Sequence, residues 1–250
     1  MVHEENLQAL QNEYILTRFF HEIPDEQLAL LAMILLIVVS IISLTVTLWT
    51  RCWFMLLVPI TGFLIAFGYY CRICMISNPK IVYFAVMQIL LIVPPLLLAA
   101  ANYECLGQAL RGDNYIPIAF IAFDIICLAI QLFGGSLLTS KDPVKLKLGI
   151  NAILVGIVLA TIANVAFIGI LIYMNSKMSL KYELLIALYA TMSLLLLRNV
   201  YRLIEFLQSK QTRDGSGFLA SHEMYMYLFD FSTVFVCLII FTVLHYGFYL

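Results

Sequence analysis

Residues 198–230 read RNVYRLIEFLQSKQTRDGSGFLASHEMYMYLFD, and this stretch decides the fold. It continues an apolar run, Leu184–Leu197, that is only fourteen residues long. A membrane-spanning helix needs about 20 residues at roughly 1.5 Å each. The helix must therefore stop short or carry Arg198, Arg202 and Glu205 into the bilayer region. An Arg or Asp at mid-membrane costs about 2.5–3.5 kcal/mol on insertion scales, whereas a Leu returns only about 0.3–0.6 kcal/mol. Such charges must be partnered.

Arg198, Arg202 and Glu205 fall at i, i+4 and i+7 and so share one helix face. Beyond the polar turn Gln211–Gly217, the residues Glu223, Tyr227 and Asp230 repeat that spacing. Two antiparallel helices joined by this turn bring an Arg-rich face to a carboxylate-rich one. Two readings follow. The faces form a structural clamp of ion pairs, or they form a site for a zwitterionic or amphiphilic ligand, because ionisable residues inside a membrane are functional candidates by default.

Working outward, the whole chain has the same character. Of its 250 residues 63% are hydrophobic and only 12% charged, with a mean hydropathy of +0.99. A soluble domain carries about 25% charged residues, so the composition predicts a polytopic membrane protein. A formal net charge of −1 argues against nucleic acid as a partner. The six cysteines are scattered through apolar stretches without the spacing of a disulfide framework. Cys71 and Cys74 form a CxxC with no second pair and no adjacent His, which reads as two small residues on a helix. The acidic opening segment has neither the basic region nor the early apolar core of a cleaved signal peptide, so insertion is expected to rely on the first span.

The expected architecture is all-α, a seven-transmembrane-helix bundle. A polar N-terminal segment, 1–27, precedes a single transmembrane domain, 28–250. The expected spans are about 28–49, 53–71, 81–101, 116–138, 148–173, 184–207 and 224–250. Trp49 and Trp53 bracket Arg51 as interface markers. Pro94 and Pro95 inside the third span remove backbone donors and are expected to kink it. Gly156 lies in a small-residue ridge, Ala152, Gly156 and Ala160, suited to close helix contact.

In the fourth span Asp124 falls near mid-membrane, with Gln131 on its face running on to Gly134 and Gly135, which are expected to serve helix packing or to let a ligand or a neighbouring backbone approach. A carboxylate at that depth either pairs with an arginine or takes its neutral form, which can carry a proton. The expected arrangement is a pair with Arg72 or Arg198. Tyr69, Tyr103, Tyr201 and Tyr227 sit beside charged positions on four helices. No GxSxG elbow, HExxH or P-loop pattern occurs, and His245 is the one His well within a span, so no enzymatic activity, metal or cofactor is expected.

These pieces resemble a known family, the fungal lipid-translocating exporters (RTA-like). Span two carries Gly68-Tyr69-Tyr70-Cys71-Arg72, similar to the family's GY-x-x-R. Span three carries Pro95, Ala100, Tyr103 and Gly107. Span four's Asp124, Cys127, Gln131, Gly134 and Gly135 are similar to D-x-x-S-x-x-x-Q-x-x-G-G. The strongest block is Arg198, Tyr201, Arg202, Glu205 and Phe206, then Glu223, Tyr227, Asp230 and a late His245. Departures are Gln108 where the family has Arg, Cys127 for Ser, Ala160 where Gln is common, and Tyr246 where Pro follows His245. A counterpart to the family's long polar C-terminal tail is not expected.

The resemblance implies export of, and resistance to, an amphiphilic lipid of the sphingoid long-chain-base or sterol-amine type. The lipid bilayer and that substrate are then the expected partners. The alternative is a seven-helix lipid or stress sensor without transport activity. The expected location is the plasma membrane. The Lys and Arg count favours a cytoplasmic N-terminus, whereas the resemblance implies an extracellular one, which is the orientation adopted.

Overall fold

Apolar runs separated by short polar turns cross a bilayer as helices, because a helix satisfies its own backbone hydrogen bonds where no water is available. A computed structural model describes residues 25–109, 115–138, 142–177, 182–211 and 222–248. The opening segment and the polar turn after Gln211 therefore lie outside the described residues. Among the described residues seven helices are long and apolar enough to cross a membrane, and all regular structure is helical. This is a multi-pass membrane protein, and its fold is the expected seven-helix bundle.

Helix α1 is Glu26–Thr50, α2 Leu57–Ser77, α3 Ile81–Ala109, α4 Tyr115–Leu138, α5 Pro143–Lys177 and α6 Tyr182–Gln211. The seventh, α7, is composite. It begins as an α turn, Glu223–Tyr225, widens into a π-helix, Met226–Phe231, and returns to α-helix over Ser232–Val243. Asp25 caps α1, its carboxylate accepting from the Gln27 N–H at 2.8 Å, which satisfies one orphan donor of the first turn. Arg51 ends α1 in the left-handed region at φ 56°, reversing the chain into a 3-10 turn, Trp53–Leu56, that feeds α2.

Consecutive helices pack on one another, and α7 returns against α1, α2 and α6. Since successive spans alternate in direction, Trp49, Trp53, Tyr115, Tyr173, Tyr182 and Phe248 all lie at one end of the bundle. All six are exposed, as expected of an aromatic belt at a membrane interface. The partnered charges gather toward the opposite end.

One expectation changes. The seventh helix was expected to run to the end of the chain, but it stops at Val243. Leu244 leaves helical geometry at φ −98°, ψ 54°. His245 lies after that break, ahead of a 3-10 turn, Tyr246–Phe248. The third helix, with two prolines in it, runs unbroken from Ile81 to Ala109. The prolines withhold the N–H groups that would reach the carbonyls of Leu90 and Leu91, one turn back. Gly68 of α2 lies against the freed turn, where a Cβ would meet Leu90 at 3.3 Å.

Glycine sets the closest helix approach. Gly134 of α4 and Gly149 of α5 face each other, and a Cβ on either would come 2.7 Å from the other's carbonyl oxygen. Gly156 sits against the Gln131 side chain and the Cys127 carbonyl, and Gly107 against the Pro117 ring. Gly135, expected to serve packing with its neighbour, has no atom within 4 Å of a built Cβ. Gly134→Ala should therefore destabilise the bundle by about 1–3 kcal/mol, the usual cost of overpacking. Gly135→Ala should be neutral or stabilising, since Ala is the better helix former by about 1 kcal/mol. Thermal unfolding in detergent tests this pair, and equal losses in both variants would refute the assigned α4–α5 contact.

Candidate functional site

Of the α7 residues expected to face the arginines of α6, Asp230 does so, and Glu223 and Tyr227 do not. Asp230 lies between two arginines of α6. Its Oδ1 is 2.6 Å from Arg198 Nε, and its Oδ2 takes a short contact from Arg202 Nη2. The Arg198 contact is close in charge although the Nε–H points off the oxygen, which leaves neither atom with a well-aligned hydrogen bond. Arg202 also reaches Glu205 Oε2 through Nη1 at 3.1 Å. All three side chains of the Arg198–Asp230–Arg202 group are nearly excluded from the surface.

Arg198 has a further partner that depends on a proline. Pro95 has no N–H to give the Leu91 carbonyl, and Arg198 Nη2 donates to that oxygen at 2.7 Å. The guanidinium thus replaces the missing backbone donor and ties α6 to α3. A buried carbonyl left without a donor costs about 1–3 kcal/mol, so the proline and the arginine serve one another.

Glu223 turns elsewhere. Its Oε1 pairs with Arg72 Nη2 of α2 at 2.6 Å, and its Oε2 accepts the Asp25 backbone N–H at 2.9 Å. Tyr227, one turn on, lies beneath the Arg72 guanidinium at 6.0 Å and stacks on Tyr69 at 5.9 Å. Glu223 and Tyr227 therefore face α2 while Asp230 faces α6. The π-helical stretch accounts for this divergence, because its i→i+5 pattern adds a residue to the turn that carries Asp230. Thr233 bonds the Phe229 carbonyl at 2.7 Å as the helix narrows again.

Asp124 is the main correction. Its expected pair with Arg72 or Arg198 does not form. Arg72 is engaged by Glu223, and Arg198 by Asp230 and Leu91. The partner of Asp124 is the Tyr103 hydroxyl, donating to Oδ2 at 2.9 Å. That hydroxyl also lies 3.4 Å from the Asn164 amide oxygen. It has one proton, and the shorter contact takes it, so Asn164 is better turned with its NH₂ toward the hydroxyl.

A cavity of about 50 Å³ opens beside Asp124, space for a few waters. Its polar lining is Gln88 of α3, Asp124 and Gln131 of α4, Asn164 of α5, and Arg198, Asn199 and Arg202 of α6. Pro95, Ala99 and Ala160 keep the walls back. A second cavity of about 10 Å³, lined by Tyr69, Leu91, Arg198 and Asp230, holds about one water. Arg198 lines both. Gln88 and Asn199 were not among the sequence candidates. Gln88 is a lone polar residue in an apolar run and Asn199 sits beside Arg198, and only the fold reveals where each faces.

His245 stands apart from this network. The Gly247 N–H donates to its Nδ1 at 3.1 Å, which leaves the proton on Nε2, 3.2 Å from the Thr47 hydroxyl. Thr47 gives its own proton to the Ser43 carbonyl at 2.8 Å and can therefore accept. The ring is a neutral clip joining the chain's end to α1. Next to it, the Asn102 amide oxygen accepts from Tyr246 at 2.7 Å and lies 3.0 Å from the Thr191 hydroxyl, a buried cross-link of α3, α6 and the closing turn that sequence reading missed. Tyr201 stacks on Phe229 at 5.6 Å, and its buried hydroxyl has no partner among the described residues. No three His, Cys, Asp or Glu among the described residues gather as metal ligands.

A family model described as "RTA1 like protein" matches residues 58–250. In Saccharomyces cerevisiae, "Protoporphyrin uptake protein 1" is 26% identical over 204 residues, covering 71% of this chain and 64% of that protein. "Protein RTM1" is 25% identical over 202 residues, covering 70% and 62% respectively. "Protein RTA1" is 28% identical over 191 residues, covering 66% and 56%. The chain thus spans less than two thirds of the length of these relatives. No solved structure matches it.

The geometry ranks the ions. Asp230→Ala should cost about 3–5 kcal/mol, because it takes from buried Arg198 its counter-charge and from Arg202 one of two. Glu205→Ala should cost clearly less, because Arg202 keeps Asp230 and Glu205 is only half-buried. Thermal unfolding of the two variants in detergent measures the difference. Indistinguishable losses would show that Asp230 does not hold both arginines.

Proposed function

This chain belongs to the RTA1-like family, and from that membership and the cavity between α3, α4, α5 and α6 we propose that it moves amphiphilic lipids across the membrane. The substrate class is a sphingoid long-chain base or sterol amine, and the protein confers resistance by exporting it. The observation that carries this reading is a cavity of about 50 Å³ whose mainly apolar walls carry Asp124, Gln131, Asn164 and Arg198 within an otherwise apolar bundle. A head group built from an ammonium and a hydroxyl is of that size, and its tail is soluble in the surrounding lipid. A porphyrin, which one relative's name connects with uptake, is far larger than this space.

Translocation of this kind lowers the cost of taking a charged head group through hydrocarbon. The bundle offers hydrogen-bonding side chains at mid-depth in place of water. The substrate leaves chemically unaltered, and no cofactor takes part. The proposed setting is the plasma membrane with the N-terminus outside.

Liposomes containing the purified chain test the proposal. Fluorescent sphingoid base should cross at least several-fold faster than in protein-free liposomes and be recovered intact. Movement no faster than the empty-liposome rate would defeat the transport reading and leave a lipid sensor, for which the same cavity would be a ligand pocket. Chemical alteration of the lipid would point to an enzyme.

A further inference from the structure

Six of the charged groups inside the bundle cancel. Arg72, Arg198 and Arg202 are matched by Glu223, Asp230 and Glu205. Asp124 is outside that balance. It is 6% exposed, and its one hydrogen-bond donor among the described residues is the neutral Tyr103 hydroxyl. No described Lys or Arg lies within ion-pair distance of it. An ionised carboxylate held this way has lost its water without gaining a counter-charge. Either a proton or a cation removes that cost, and the adjoining cavity has room for a small cationic group and a water or two.

Resting on the lipid-transport reading for the identity of the amphiphile, we propose that Asp124 is an exchange site. It holds either a proton or the ammonium head of a cationic amphiphile, and one displaces the other. On loading, the carboxyl O–H bond breaks and its proton passes to cavity water. The carboxylate then takes the ammonium as counter-ion, with nothing oxidised or reduced, and unloading is the reverse. An ammonium brings three N–H donors. The Asp124 carboxylate and the amide oxygens of Asn164 and Gln131, all lining the cavity, are acceptors of matching number.

The neighbours of Asp124 suit exchange better than permanent capture. From α3 it meets Tyr103, and from α5 only the uncharged Asn164. On its own helix Cys127 follows one turn on. Across the cavity α6 presents Arg198 and Arg202, already engaged by Asp230, Glu205 and the Leu91 carbonyl. Their positive field opposes a resident cation and so favours its release. Both loaded states leave the interior neutral, whereas the empty carboxylate does not. That requirement couples one proton to one ammonium.

The purified full chain in detergent, weakly buffered at mildly acidic pH, is titrated with dodecylamine while a pH indicator records proton release. The amine is fully charged under these conditions, so any released proton comes from the protein. The expected result is saturable binding with close to one proton released per amine, and loss of that release in Asp124→Asn. This amide keeps an acceptor for Tyr103, and its thermal unfolding reports whether the variant is folded. Binding without proton release in the parent chain would overturn the exchange site, as would equal release from a folded Asp124→Asn. Absence of binding to the parent chain would overturn it too. Liposome transport that persists without proton release would leave the lipid-transport reading standing and the exchange site refuted.

Discussion

One carboxylate, Asp230, holds the arrangement of this bundle. It faces Arg198 and Arg202 together, and Arg198 reaches past it to the Leu91 carbonyl that Pro95 leaves without a donor. Helices α3, α6 and α7 are therefore joined by a single polar group in a region without solvent. Such a group is not a cheap source of stability, since well-packed apolar side chains often do as well as a buried ion pair. Its consequence is specificity. Any slide or rotation of α7 relative to α6 separates buried charges, so the register of the two helices is fixed.

The rest of the packing follows from what this constraint leaves undecided. Lipid tails are as apolar as leucine, so membrane helices gain little from burying apolar surface against each other. They associate through close contact of small residues and through polar links. Gly134 against Gly149 joins α4 to α5, and Asn102 with Thr191 and Tyr246 joins α3, α6 and the closing turn. The His245 clip ties that turn to α1. Each link lies where the Asp230 group does not reach.

How much of this was legible in the sequence divides along a physical line. Span number and approximate limits follow from hydropathy, and the meeting of Asp230 with Arg198 and Arg202 follows from helical periodicity across one short turn. Both are local. Asp124's partner was not legible. Spacing indicates depth but not which of several arginines is already taken, and Leu91's claim on Arg198 arises only once Pro95 is seen to free its carbonyl. Gly149 was missed because its effect depends on Gly134 being opposite. The π-helical stretch in α7 left no sequence mark, and it sends Asp230 to α6 while Glu223 goes to α2. Gly135 shows the reverse error, since a glycine beside a packing glycine need not pack.

The polar interior thus has two parts with different electrostatic character. Around Asp230, Glu205 and Glu223 every charge has its opposite, and each arginine is held by protein atoms. At Asp124 the hydrogen-bond donor is the neutral Tyr103 hydroxyl, and no described Lys or Arg lies within ion-pair distance. Arg198 belongs to both parts, since it pairs with Asp230 and lines the cavities on either side. A fixed, neutral ion cluster next to an uncompensated acid suits a carrier. The cluster supplies a frame that does not change with the ligand, and the acid supplies the one site whose charge does. Had Asp124 paired with Arg198, as its depth suggested, the carboxylate beside the cavity would have been compensated there, and the cavity would have offered a cation nothing to neutralise.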